Sequence, residues 1–109
     1  MNPYVVIPTY NEKENLPGLS AALLAFDPAL RLVIVDDASP DGTGEIADEI
    51  ASIDPRVNVI HRSGKLGLGT AYLAGFRYAL ELHADRVLTM DADLSHNPAY
   101  VLEIIALCN

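Results

Sequence analysis

One cysteine, Cys108, stands among 109 residues, and tryptophan is absent. A lone thiol closes no internal disulfide and builds no cysteine-ligated metal cluster, so a reducing, cytoplasmic setting is expected. Cys108 itself reads as a small apolar residue. Basic residues are also few: 7 Lys+Arg face 15 Asp+Glu, for a formal net charge of −8. Nucleic acid is therefore not an expected partner, because its phosphates demand a basic face. An anionic ligand remains compatible where a cation bridges it to carboxylates. No apolar run approaches the roughly 18 residues of a membrane span. "LSAALLAF" and "YVLEIIALC" are short enough to be the buried sides of helices, and Met1-Asn2-Pro3 opens no basic-then-apolar leader. A peripheral place at a membrane face stays open.

Half of the residues are hydrophobic and a fifth are charged, the balance of one small globular domain. Three apolar, β-branched runs have the length of buried strands: "YVVI" (4–7), "LRLVIV" (30–35) and "RVLTM" (86–90). A weaker one, "VNVIH" (57–61), lies between the second and third. Continuous rather than alternating apolarity points to strands covered on both faces, as in a parallel sheet.

Helical patterns fill the intervals. Residues 12–26 set Leu16, Leu19, Leu23 and Leu24 on one side, and 43–53 set Ile46, Ile50 and Ile53 at helical spacing. Residues 67–83 carry Leu68, Tyr72, Phe76 and Leu80 at intervals of four, and a last helix opens at Asn97-Pro98. Asn11 with Glu14 has the spacing of a capping box, while Pro17 leaves the start of the first helix open. The expected fold is α/β: an open parallel sheet of four βα units, in the order 3-2-1-4. In such a sheet ligands bind beyond the carboxyl ends of the strands, where the chain reverses direction between strands 1 and 4.

The polar clusters fall at those ends: "PTYNE" (8–12), "DDASPDGT" (36–43), "RSGKLGLG" (62–69) and "DADLS" (91–95). In extended backbone, side chains two apart point the same way, so Asp91 and Asp93 can face one point. Paired hard oxygen donors suit Mg²⁺ or Mn²⁺; the plainer alternative is a helix-capping turn with solvated acids. Asp36 and Asp37 are adjacent and point to opposite faces. One is expected to turn to a base or ribose, the other to hold the following loop through its N–H groups. Within "SPDGT", Pro40 and Gly42 read as turn chemistry. Lys65, among glycines before a helix start, could add a charge for an anion. Tyr10 could stack on a base or simply end a strand. His61, His83 and His96 share no ligand spacing, and His83 is expected to face solvent.

Taken together, "VVIPTYNEKENL", "LVIVDDASPDGTGEIA", "GKLGLGTAYLAGF" and "MDADLSHNP" resemble, in order and spacing, the inverting glycosyltransferases of GT-A fold, and within them the dolichol- or polyprenol-phosphate mannose synthases. The resemblance implies a sugar-nucleotide donor, GDP-mannose, with a polyprenyl phosphate as acceptor. It places Pro8, Tyr10 and Glu12 at the base and ribose, with Val35 and Asp37 closing the nucleoside pocket. Asp91, Ala92 and Asp93 would lie at the diphosphate, with Asp91 and Asp93 around a Mg²⁺ or Mn²⁺. Ser95 stands where members often carry glutamine, and would reach that metal directly or through water. The likeness covers the N-terminal half of such a catalytic domain, so residues 1–109 are expected to be its nucleotide-sugar-binding half, lacking the acceptor half. The fourth strand would then be an exposed edge, open to a second copy of the chain. Other polyprenyl-phosphate or polysaccharide glycosyltransferases share these features. Alternatives of another class are a phosphoacceptor receiver, which has a similar acidic pair after its first strand, and a non-catalytic interaction fragment.

Overall fold

The computed structural model describes residues 3–63, 68–84 and 86–89. Its elements alternate: β1 (Pro3–Thr9), α1 (Leu16–Phe26), β2 (Arg31–Asp36), α2 (Thr43–Ile53), β3 (Val57–His61), α3 (Leu68–Glu81) and β4 (Arg86–Thr89). All strand pairs are parallel and the sheet order is β3-β2-β1-β4, as expected. β1 is buried along its whole length, as a strand flanked on both edges and covered on both faces must be.

Alternation along the strands divides the core in two. Val5, Ile7, Leu32 and Ile34 face Leu16, Leu19 and Leu23 of α1 and Ala47 of α2. Tyr4, Val6, Val33 and Val35 face Ala71 and Ala79 of α3. α1 and α2 thus cover one face of the sheet and α3 the other. Arg56 closes the end of α1 by donating from Nη1 to the carbonyls of Leu24 (3.1 Å) and Asp27 (3.3 Å), groups left open where a helix stops.

Three local expectations need correction. The capping box does not form: Asn11 sits in the left-handed region (φ 57°), and α1 begins only at Leu16, capped by Asn15 without a side-chain bond. Pro17 explains the late start, since a proline ring costs nothing where the N–H would be unpaired anyway. In α2 Ala47 is buried and Ile50 packs part-buried against the same core, whereas Ile53 is left exposed. In α3 the stripe against the sheet is Ala71, Gly75 and Ala79, with Leu80 exposed. Tyr72 and Phe76, expected to face the core, pack against it part-buried, beside a seam of small residues that lets the helix approach closely. A Cβ on Gly75 would lie 2.3 Å from Cγ1 of Val6.

Candidate functional site

At the carboxyl rim of the sheet, the two adjacent aspartates part company. Asp36 ends β2 on the face of α1 and α2, and is buried. Its carboxylate accepts from the Thr9 hydroxyl (2.7 Å), the Ser39 hydroxyl (2.6 Å) and the Ser39 amide (3.1 Å). It is the aspartate that holds the loop. α2 starts against it, and only glycine permits this: a Cβ on Gly44 would come 2.9 Å from Oδ2 of Asp36.

Asp37 turns to the face of α3. Its amide donates to the Thr9 carbonyl (3.1 Å), and the Arg62 amide donates to the Asp36 carbonyl (2.8 Å), so both strand ladders run on past their ends. This sets Asp37 beside Arg62. The guanidinium grips the carboxylate with two bonds, Nε to Oδ1 at 2.6 Å and Nη2 to Oδ2 at 2.9 Å, while Nη1 donates to the Thr70 hydroxyl of α3 (3.0 Å). The two side chains are only 11% and 7% exposed. Bonding to Asp37 raises the Arg62 pKa above the usual guanidinium value. A planar fork on a carboxylate fixes orientation as well as charge.

Beyond β1, Tyr10 is partly exposed, and the Glu12 carboxylate accepts from the Asn15 amide group (3.0 Å). The backbone here is held by the next loop. The amides of Asn11, Glu12 and Lys13 donate to the side chains of Ser39 (3.0 Å), Thr43 (2.9 Å) and Asp41 (3.2 Å), respectively. Asp41 also accepts from the hydroxyl and the amide of Thr43; these bonds, the hydroxyl's first, hold its pKa below the ordinary carboxylate value. Ala38 adopts φ 52° within this loop and Gly42 φ 95° at its end.

Of the residues singled out from the sequence, Pro8, Val35 and Asp37 share the α3 face, Pro8 and Val35 as register partners in β1 and β2. Tyr10 and Glu12 follow directly from β1. Lys65, Asp91, Ala92, Asp93 and Ser95 lie outside the described residues. β4 is parallel to β1, with Thr89 opposite Val6, so it leads toward the same rim. His83 is exposed, as expected. Arg62, Thr9 and Thr70 were not anticipated. For Arg62 the signal existed: it is the first residue after the "VNVIH" strand, as Asp37 is the first after "LRLVIVD".

A cleft of about 690 Å³ opens on the other side of the β2–α2 loop, lined by Lys13, Asp36, Asp41, Glu45, Asp48 and His61, among others. Asp37 does not border it. Its largely acidic wall would repel a free diphosphate. The rim around Asp37 therefore remains the candidate site.

The model of the family described as glycosyl transferase family 2 matches residues 4–108. The chain belongs to that family. Among curated family relatives, polyprenol monophosphomannose synthase of Mycolicibacterium smegmatis is 53% identical over 95 residues, which make up 86% of this chain and 36% of that protein. Undecaprenyl-phosphate mannosyltransferase of Micrococcus luteus is 52% identical over 98 residues, covering 90% and 40%. This glycosyl transferase family 2 chain thus spans well under half the length of either relative. A mannosyltransferase of Pyrobaculum calidifontis, solved in complex with GDP-Man and Mn²⁺, superposes with a TM-score of 0.72 at 24% identity, over 95% of this chain and 31% of that one. Residues 1–349 of S. aureus TarS superpose at 0.71 with 25% identity, over 97% and 32%. The fold is that of the GT-A glycosyltransferases. Family membership sets the receiver alternative aside, and the acidic pair does follow the second strand and not the first. Among the described residues, no helix is long and apolar enough to cross a membrane.

Proposed function

We propose that this chain is the donor-binding half of a metal-dependent inverting glycosyltransferase, which moves mannose from GDP-mannose to a polyprenyl phosphate. The observation that carries the reading is the meeting of Pro8, Val35 and Asp37 on one face of the sheet's carboxyl rim, next to the segment bearing Tyr10 and Glu12. The rim lies where the strand order reverses between β1 and β4, the usual ligand position in such sheets. Two curated relatives more than 50% identical bear mannosyl-transfer names, which supports mannose and a lipid phosphate.

In this reading Tyr10 stacks on the base, with Pro8 and Val35 beneath it. Glu12 and Asp37 accept hydrogen bonds from base and ribose. Lys65 adds positive charge toward the phosphates, and Ala92 leaves room for the diphosphate. Asp91, Asp93 and, directly or through water, Ser95 would hold Mg²⁺ or Mn²⁺. The fit rests on donor chemistry: three oxygen side chains in five residues, following a strand that leads to the same rim. A divalent ion bound there would neutralise charge on the leaving nucleoside diphosphate. The acceptor, a phosphate already ionised at neutral pH, would need no general base. A second copy, or a further strand, would pair along the outer edge of β4.

Calorimetric titration of the chain with GDP, with and without Mn²⁺, tests the reading. Heat that requires the metal and disappears in Asp91→Asn is the expected result. Absence of metal-dependent heat in the unaltered chain would overturn it in favour of an interaction fragment.

A further inference from the structure

Three successive backbone amides, those of Asn11, Glu12 and Lys13, each donate to a side chain of the β2–α2 loop or of the first residue of α2. Successive amides around a left-handed residue form a concavity that ordinarily collects an anion, and Asn11 supplies that conformation (φ 57°). Here the concavity is filled from within the chain. The acceptors sit on alternate residues, Ser39, Asp41 and Thr43, of the stretch that leads from β2 into the start of α2 and is itself anchored on Asp36. Thr43 is fully buried, and its hydroxyl both accepts from Glu12 and donates to Asp41.

These bonds do something that secondary structure does not. β1 stops at Thr9 and α1 starts at Leu16, so residues 10 to 13 have no ladder or helix to set their direction. That stretch carries Tyr10 and Glu12. We propose that Ser39, Asp41 and Thr43 are positioning residues for donor binding. Without touching the nucleotide, they fix the backbone from which Tyr10 and Glu12 reach it. The proposal rests on the nucleotide reading above. It assigns to the "SPDGT" turn a task beyond reversing the chain.

The test pairs amide hydrogen exchange, followed by NMR, with GDP titration in the presence of Mn²⁺. Thr43→Val keeps the shape of the buried side chain and removes its hydroxyl; Thr43→Ser keeps the hydroxyl; Ser39→Ala removes one acceptor at the exposed edge. Thr43→Val should speed exchange at the Glu12 amide about three- to tenfold, the worth of one net hydrogen bond. It should weaken GDP binding about tenfold or more, as loss of an orienting partner does. Thr43→Ser should restore both, and Ser39→Ala should act the same way at Asn11. A merely structural role would lower Tm and leave GDP affinity of the folded chain unchanged. If Thr43→Val binds GDP like the unaltered chain, or if its Glu12 amide stays protected, the proposal is wrong while the nucleotide reading stands. If the unaltered chain takes up no GDP with Mn²⁺, both fall together.

Discussion

Replacing Arg62 by glutamine isolates the pair on which the rim is built. The variant strips both bonds from the Asp37 carboxylate, leaving a charge that is 7% exposed beside a neutral amide. Removing one partner of a buried pair costs about 3–5 kcal/mol, because the remaining charge stays desolvated. The pair stands at the rim, where water can reach a relaxed carboxylate, so the cost falls to or just below that range, about 2–3 kcal/mol. Against the total of about 5–15 kcal/mol usual for a domain, that is a large share. In urea, with a slope of about 1–3 kcal/mol/M, the midpoint should fall by about 1–2 M at unchanged slope. Asp37→Asn should cost a similar amount, by stranding the guanidinium. The double variant removes both charges and should be no less stable than either single one, a coupling of about 2–3 kcal/mol. Single effects that add to within about 0.5 kcal/mol would refute the reasoning, since the two groups would then be independent.

Gly75→Ala should destabilise, although alanine is the better helix former by about 1 kcal/mol. Its methyl would meet Val6 at 2.3 Å, in a strand with no room to yield, and overpacking of this kind costs about 1–3 kcal/mol. Thermal unfolding that showed a raised Tm would contradict the close helix–sheet contact. Ala38→Gly should stabilise by about 1 kcal/mol, raising Tm by about 4 °C, because φ 52° is unfavourable for a residue with a Cβ. An unchanged or lower Tm would show that alanine is not strained there.

Much of this architecture was legible before any coordinates. Long β-branched runs separated by helical periods fix a parallel α/β sheet, since each strand must be covered on both faces. The clustering of polar residues at strand ends is readable from the same pattern, while the order 3-2-1-4 is an expectation of the fold class that the strand pairings bear out. The opposite facing of Asp36 and Asp37 is a consequence of adjacency alone. The sequence did not reveal which small-residue seam α3 presses against the sheet. Tyr72-Phe76-Leu80 and Ala71-Gly75-Ala79 share a period of four. Only the tight approach of Gly75 to Val6 puts the second at the centre of the contact, with Tyr72 and Phe76 at its side and Leu80 exposed.

Nor could spacing foretell that the Asn11–Glu14 pattern would yield to Pro17, or that Arg62 would claim both oxygens of an aspartate 25 residues away. The same holds for the bonds that the amides of residues 11–13 donate to the side chains of Ser39, Thr43 and Asp41, which span 28 to 31 residues. Periodicity is a local property and survives in the chain as written. A hydrogen-bond partner is chosen by which polar groups the packed sheet leaves side by side.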